Sequence, residues 1–124
     1  MISIICPVYN EEKYIGHCIE SVFSSDLPQD EVEMLFVDGM SSDRTRQIIG
    51  DYISKFPQIR LLDNPRRIVP TALNIGINAS CGEIIFRLDA HAIYPKNYFT
   101  VLASYLKKLK AANVGGICRT LPVN

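Results

Sequence analysis

The 124-residue sequence carries no net charge, because thirteen lysines and arginines balance thirteen aspartates and glutamates. That balance excludes a general electrostatic grip on nucleic acid or on an anionic membrane, so any phosphate recognition has to be local. A C-x-x-C pair is also missing. The four cysteines, Cys6, Cys18, Cys81 and Cys118, are far apart, which argues against a disulfide scaffold or zinc knuckle and predicts reduced, buried thiols. No basic leader precedes the first apolar run, and Pro7 breaks that run early, so the N-terminus reads as neither a signal peptide nor a spanning helix. Repeats, low-complexity tracts and linkers are absent. So are a P-loop and a G-x-G-x-x-G turn, which disfavours a dinucleotide held in the Rossmann manner.

What is present is a globular composition, 48% hydrophobic and 21% charged, in a length that suits one domain. The near-continuous apolar run Ile2 to Val8 reads as a strand buried on both faces. From Glu11 onward, Tyr14, Ile15, Cys18, Ile19, Val22 and Phe23 recur at helical spacing, with Asn10 as the expected N-cap. Met34 to Val37 predicts a second strand, and Thr45, Ile48, Ile49, Tyr52, Ile53 and Phe56 predict a second helix. Ile59 to Leu62 reads as a strand, Thr71 to Ala79 as a helix, and "EIIFRL" as a fourth strand. A helix over Asn97 to Ala112, with Tyr98, Val101, Leu102, Tyr105, Leu106 and Leu109 inward, and a fifth strand over Val114 to Cys118 complete the series. Strands alternating with helices imply an α/β fold with a mostly parallel sheet covered on both faces.

In such sheets ligands bind beyond the carboxyl ends of the strands. Four of those ends carry unusual residues: "PVYNEE", "DGMSSD", "NPRR" and "DAH". In extended chain Asp89 and His91 lie on the same side, and a carboxylate with an imidazole suits manganese or magnesium. A capping carboxylate beside an exposed histidine explains the same three residues. Asp38 precedes a turn permitted by Gly39 and is available to accept hydrogen bonds, while Ser42 and Asp43 suit a helix cap. Arg66 and Arg67 are two cations able to neutralise a diphosphate, or simply a solvated pair. Pro7, Val8 and Tyr9 can form a wall for a flat base, with Glu11 near ribose hydroxyls, unless Asn10 and Glu11 only start the helix.

Together "SIICPVYNEEKYIGHCIESV", "FVDGMSSDRT", "ALNIGINASCGEIIFRLDAHA" and "VGG" resemble family 2 glycosyltransferases of the GT-A fold, inverting enzymes that use nucleotide-sugars. The "DGMSSDRT" and "LDAHAIYP" variants are most similar to the succinoglycan and exopolysaccharide branch. The resemblance implies that Pro7, Val8, Tyr9 and Glu11 contact uracil and ribose, that Asp38 hydrogen-bonds uracil, and that Asp89 stands first in the D-x-D motif. His91 then replaces the usual second acid as a metal ligand for Mn2+ or Mg2+. Leu73 stands where many members have a basic residue, which shifts phosphate neutralisation to Arg66 or Arg67. The implied partners are a nucleotide-sugar donor, UDP-linked, and a glycan or lipid-linked acceptor. The implied location is the cytoplasm or the inner face of its membrane.

The family's general base belongs to an acceptor-binding part expected after residue 124, so residues 1–124 read as one nucleotide-sugar-binding domain without a catalytic base. A sugar-nucleotide-binding module that performs no transfer carries the same motifs. A phosphoacceptor receiver domain does not fit, because Glu11 and Glu12 lie too far into the helix start and Arg119 replaces the required lysine. The expected outcome for the isolated 124 residues is weak binding of a UDP-type ligand with little transferase activity; robust sugar transfer in a donor-hydrolysis and product assay would contradict it.

Overall fold

The computed structural model describes residues 1–109. Its β-branched and aromatic runs form four strands, β1 (Ile2–Val8), β2 (Val32–Asp38), β3 (Ile59–Asp63) and β4 (Ile84–Arg87). The amphipathic stretches between and after them form α1 (Ile15–Phe23), α2 (Thr45–Lys55), α3 (Val69–Ala79) and α4 (Tyr98–Leu109). Strand order is β3-β2-β1-β4, and every pairing is parallel. The α/β architecture expected from the alternation is therefore present. The register sets Val8 beside Asp38, Asp38 beside Asp63, and Ile5 beside Arg87.

Side chains that alternate along each strand feed two separate cores. On one face Ile4, Cys6, Met34 and Phe36 meet Ile15, Cys18 and Ile19 of α1, Ile49 of α2 and Phe99 of α4. On the other face Ile5, Leu35 and Val37 pack against Ala72 of α3. Central β2 is buried at every position, whereas edge strand β4 alternates between half-buried and exposed. Each fully buried large side chain, such as Phe36, contributes roughly 1.5–3 kcal/mol of transfer free energy.

Three sequence expectations need correction. Helix α1 begins at Ile15, four residues after Glu11, and its N-cap position is Tyr14. Asn10 is left-handed, with φ 50°, whereas an N-cap residue sits in the extended region; cross-loop hydrogen bonds described below hold it there. In α4 the buried positions are Phe99 and Ala103, while Val101 and Tyr105 face outward. The stripe turns because Phe99 docks edge-on against Phe86, with ring centroids 5.2 Å apart. Cys6 and Cys18 are buried free thiols, but Cys81 is exposed. The expected fifth strand, the end of the fourth helix and Cys118 lie outside the described residues.

At the amino end of the sheet, a carboxylate fastens the turn between α3 and β4. Glu33 Oε2 accepts from Ser3 Oγ at 2.6 Å and from the Cys81 amide at 2.5 Å, and the Gly82 amide donates to Ser3 Oγ at 2.8 Å. A Cβ on Gly82 would lie 2.5 Å from Ser3 Oγ, so only glycine lets the turn approach this closely. Burial pushes the Glu33 carboxyl up, but Ser3, the Cys81 amide and Arg60 together outweigh it and hold the group below its ordinary 4.5. A carboxyl lowered on folding stabilises above its unfolded value, and that stabilisation is lost as pH falls through the folded one. Urea unfolding of the wild type should therefore show stability falling as pH drops below about 4.5. Glu33→Gln should be less stable at pH 7 by about 1–2 kcal/mol and lose less of its stability over that acid range; parallel pH profiles would contradict the assignment.

Candidate active site

Because β1 and β2 end side by side, the loops that follow them meet, and each satisfies the other's backbone. The Gly39 amide donates to the Val8 carbonyl at 2.8 Å. The Asn10 amide donates to Ser41 Oγ at 2.9 Å, and the Ser42 amide returns to Asn10 Oδ1 at 2.9 Å. Further along, the Glu11 amide donates to Thr45 Oγ1 at 2.8 Å, the Glu12 amide to Asp43 Oδ2 at 3.3 Å and the Arg44 amide to Glu12 Oε2 at 3.2 Å. Asp43 also accepts the Thr45 amide at 2.9 Å, although the N-cap position of α2 is Arg44, which makes no side-chain cap. Ser42 pairs with Asn10 instead of the helix.

Among the described residues, the non-glycine positions with positive φ are Asn10 (50°), Met40 (64°) and Arg67 (63°). All three lie in loops at this one edge. Left-handed backbone costs roughly 1–2 kcal/mol per residue and gathers where a binding site over-determines the chain. Gly39 stands close to two of these loops: a Cβ built on it would lie 3.5 Å from the Tyr9 ring and 3.6 Å from the Arg67 Cα.

Asp38, fully buried, anchors the floor. Its carboxylate accepts from the Ser41 amide at 3.0 Å, from the Ser41 hydroxyl, and from Arg46 Nη1 at 2.8 Å. Arg46 Nη2 reaches Asp63 Oδ1 at 2.7 Å, so one guanidinium fork spans the ends of β2 and β3. Sequence reasoning missed Arg46, since an arginine in the first turn of a helix usually looks like solvated charge. The available signal was its place one turn after "DGMSSD", within reach of two strand-terminal aspartates.

The opposite side of the edge holds an acid, imidazole, acid chain. Asp89 Oδ1 accepts from the His91 amide at 2.9 Å and faces His91 Nδ1 at 3.0 Å. His91 Nε2 lies 3.2 Å from Glu11 Oε2, and Tyr14 packs on the imidazole with centroids 4.9 Å apart. The Asp89 amide donates to Tyr94 Oη at 2.9 Å. The His91 amide, against opposing burial and helped by the imidazole, holds the Asp89 carboxyl below its ordinary range. Burial pushes Glu11 up; Asp89 and Asp43 add to this, while His91 opposes it. Two acids therefore share one imidazole, and Asp89 is the one held firmly ionised.

A cleft of about 390 Å³ opens here, lined by residues that include Pro7, Glu11, Arg87, Asp89 and His91. Of the residues proposed from sequence, it gathers Pro7, Glu11, Asp89 and His91. Tyr9 is exposed and stands against Gly39, Val8 is buried in the core, and Asp38 lies beneath its own loop. Arg66 is exposed on the loop between β3 and α3, outside the cleft lining. No group of three or more metal-ligating side chains is arranged around an ion site among the described residues. Asp89 Oδ2 has no hydrogen bond within the described chain, and its side chain is 71% exposed. That donor set fits a hard divalent ion held mainly by ligand and water oxygens. His91 can join only by releasing a carboxylate.

The parallel sheet with its carboxyl-edge cleft is shared with solved glycosyltransferases of the GT-A class. The family model "Glycosyl transferase family 2" matches residues 3–121, and the chain belongs to that family. It is 37% identical to dolichyl N-acetyl-alpha-D-glucosaminyl phosphate 3-beta-D-2,3-diacetamido-2,3-dideoxy-beta-D-glucuronosyltransferase of Methanococcus voltae, over 99% of this chain and 40% of that protein. It is 35% identical to the succinoglycan biosynthesis protein ExoA of Rhizobium meliloti, over 77% and 29%. Among solved structures it resembles Staphylococcus aureus TarS 1–349 in complex with UDP-GlcNAc (TM-score 0.77, 26% identity, 86% of this chain, 31% of that one). It also resembles the Pyrobaculum calidifontis mannosyltransferase PcManGT with GDP-Man and Mn2+ (TM-score 0.80, 28% identity, 85% and 32%). The chain thus spans well under half the length of these relatives.

Replacing Arg46 with alanine leaves the buried Asp38 charge held by Ser41 alone. Arg46→Ala should lower stability by about 1–3 kcal/mol, read by urea unfolding at pH 7, and Arg46→Lys should recover part of the loss. An Arg46→Ala variant as stable as the wild type would show that the fork is incidental.

Proposed function

We propose that residues 1–124 form the nucleotide-sugar-binding domain of an inverting transferase that moves a sugar from a UDP-linked donor to a hydroxyl of a glycan or lipid-linked acceptor. The observation that carries this reading is the juxtaposition of Asp89, His91, Glu11 and Pro7 around one cleft at the carboxyl edge of a parallel sheet. One relative is named a glucuronosyltransferase and another a succinoglycan biosynthesis protein, and the solved neighbours hold UDP-GlcNAc or GDP-Man.

In this reading Tyr9 and Pro7 support the base and ribose, and Glu11, with Oε2 toward His91, accepts a ribose hydroxyl through Oε1. Asp38 keeps the β2 loop in place, and it meets a base N–H only when the Ser41 hydroxyl turns aside. Arg66 acts from the exposed loop as a long-range cation. Asp89 would hold a divalent ion, Mn2+ or Mg2+, with His91 as the second donor once Glu11 lets go. When bound, that ion supplies positive charge against the charge developing on the departing diphosphate. The acceptor oxygen attacks the anomeric carbon from the side opposite the leaving oxygen, the bond from sugar to diphosphate breaks, and a base takes the hydroxyl proton. No helix among the described residues is long and apolar enough to cross a membrane. The free thiols Cys6, Cys18 and Cys81 suit the cytoplasm, with the inner membrane face as the site of action for a lipid-linked acceptor.

Titration calorimetry with UDP, with Mn2+ or with EDTA, tests the reading. Mn2+ should strengthen UDP binding on the order of tenfold, and Asp89→Ala should remove that gain while leaving the metal-free affinity. Metal-independent binding that the substitution does not change would overturn the assignment.

A further inference from the structure

We propose that Arg87 grips the diphosphate of the donor, a role that rests on the donor-site reading above and adds to it a residue from β4. The cleft lining includes two carboxylates, Glu11 and Asp89. Alone they would repel a diphosphate, and an ion held by Asp89 answers only part of that repulsion. Arg87 is the one arginine or lysine in the lining. It closes β4, opposite Ile5 of central β1, so the sheet fixes its Cα two residues before Asp89. Its side chain makes no hydrogen bond or ion pair with a described residue, and it acts on Asp89 only through its charge.

The other arginines at this edge are placed differently. Arg46 is committed to Asp38 and Asp63. Arg66 and Arg67 are exposed on the loop between β3 and α3 and do not line the cleft. A planar guanidinium presents paired N–H donors that match two oxygens of a phosphate, and in a cleft shared with acids it favours the more highly charged diphosphate over a neutral sugar. The cation that sequence reasoning sought in "NPRR" thus comes from the end of the strand that leads into Asp89.

Calorimetry on the 124-residue chain in Mn2+ tests this with uridine, UDP, UDP-glucose and UDP-glucuronate as probes. Arg87→Gln should weaken UDP and UDP-glucose alike, on the order of tenfold, and leave uridine unchanged. Arg87→Lys should retain part of the affinity because the charge remains. Lys55→Gln, an exposed cation at the far end of α2 and outside the cleft lining, should bind UDP nearly as the wild type does. Unchanged UDP affinity in Arg87→Gln overturns the proposal, and so does a parallel loss of uridine. A loss confined to UDP-glucuronate overturns it too, because it would put the guanidinium on a sugar carboxylate. Wild-type chain that binds none of the four probes would overturn the donor site itself, a result distinct from any specific to Arg87.

Discussion

The parallel register of β1 and β2, which ends with Val8 beside Asp38, is the constraint on which the site depends. It brings two polar loops to the same height, where amides of one loop take acceptors from the other in place of water. The loops supply them to each other: Asn10 answers Ser42, Ser41 answers Asn10, Glu12 answers Arg44, and Thr45 answers Glu11. A helix that began at Glu11 would break this exchange, which is why α1 starts late and Asn10 remains left-handed. Glu11 is thereby left beside the cleft, facing His91, instead of in a solvated first turn.

The two ends of the sheet use carboxylates for opposite purposes. At the amino end Glu33 is enclosed by Ser3, the Cys81 amide and Arg60, and its work is internal. At the carboxyl end Asp38 is likewise enclosed, by Ser41 and Arg46. Asp89 differs from both, since one oxygen is fixed by His91 and the other is open to the cleft. An acid that is ionised, oriented on one oxygen and free on the other is prepared for a cation brought by a ligand. His91 contributes orientation in the absence of ligand, and the imidazole connects Asp89 to Glu11 so that the two acids are not independent.

Much of the fold was legible in the residues. Apolar runs such as "SIICPV" and "MLFV" marked the buried central strands, and the α/β alternation implied parallel pairing with the unusual residues on one edge. Helix α1's stripe of Ile15, Cys18, Ile19, Val22 and Phe23 matches the buried face. What escaped was set by tertiary contact. The phase of α4 depends on Phe99 finding Phe86, and nothing local distinguishes Phe99 from Val101 as the inward residue. Asn10 has the chemistry of a cap, but its partner lies 32 residues away in Ser42. In the site, Asp89, His91, Glu11 and Pro7 could be named from their positions at or just after strand ends, while Arg46 could not, because its role appears only when β2 and β3 end together.

If the nucleotide diphosphate binds at this carboxyl edge, its amides respond to the ligand and those at the opposite edge do not. Amide chemical-shift mapping of the isotope-labelled 124-residue chain titrated with UDP and Mg2+ tests it most directly. Shifts should concentrate at Tyr9, Glu11, Gly39, Arg87, Asp89 and His91, with Ser3, Glu33 and Gly82 at the far end of the sheet unmoved. Shifts centred on the Ser3 and Glu33 end, or no shifts at saturating UDP, would contradict it.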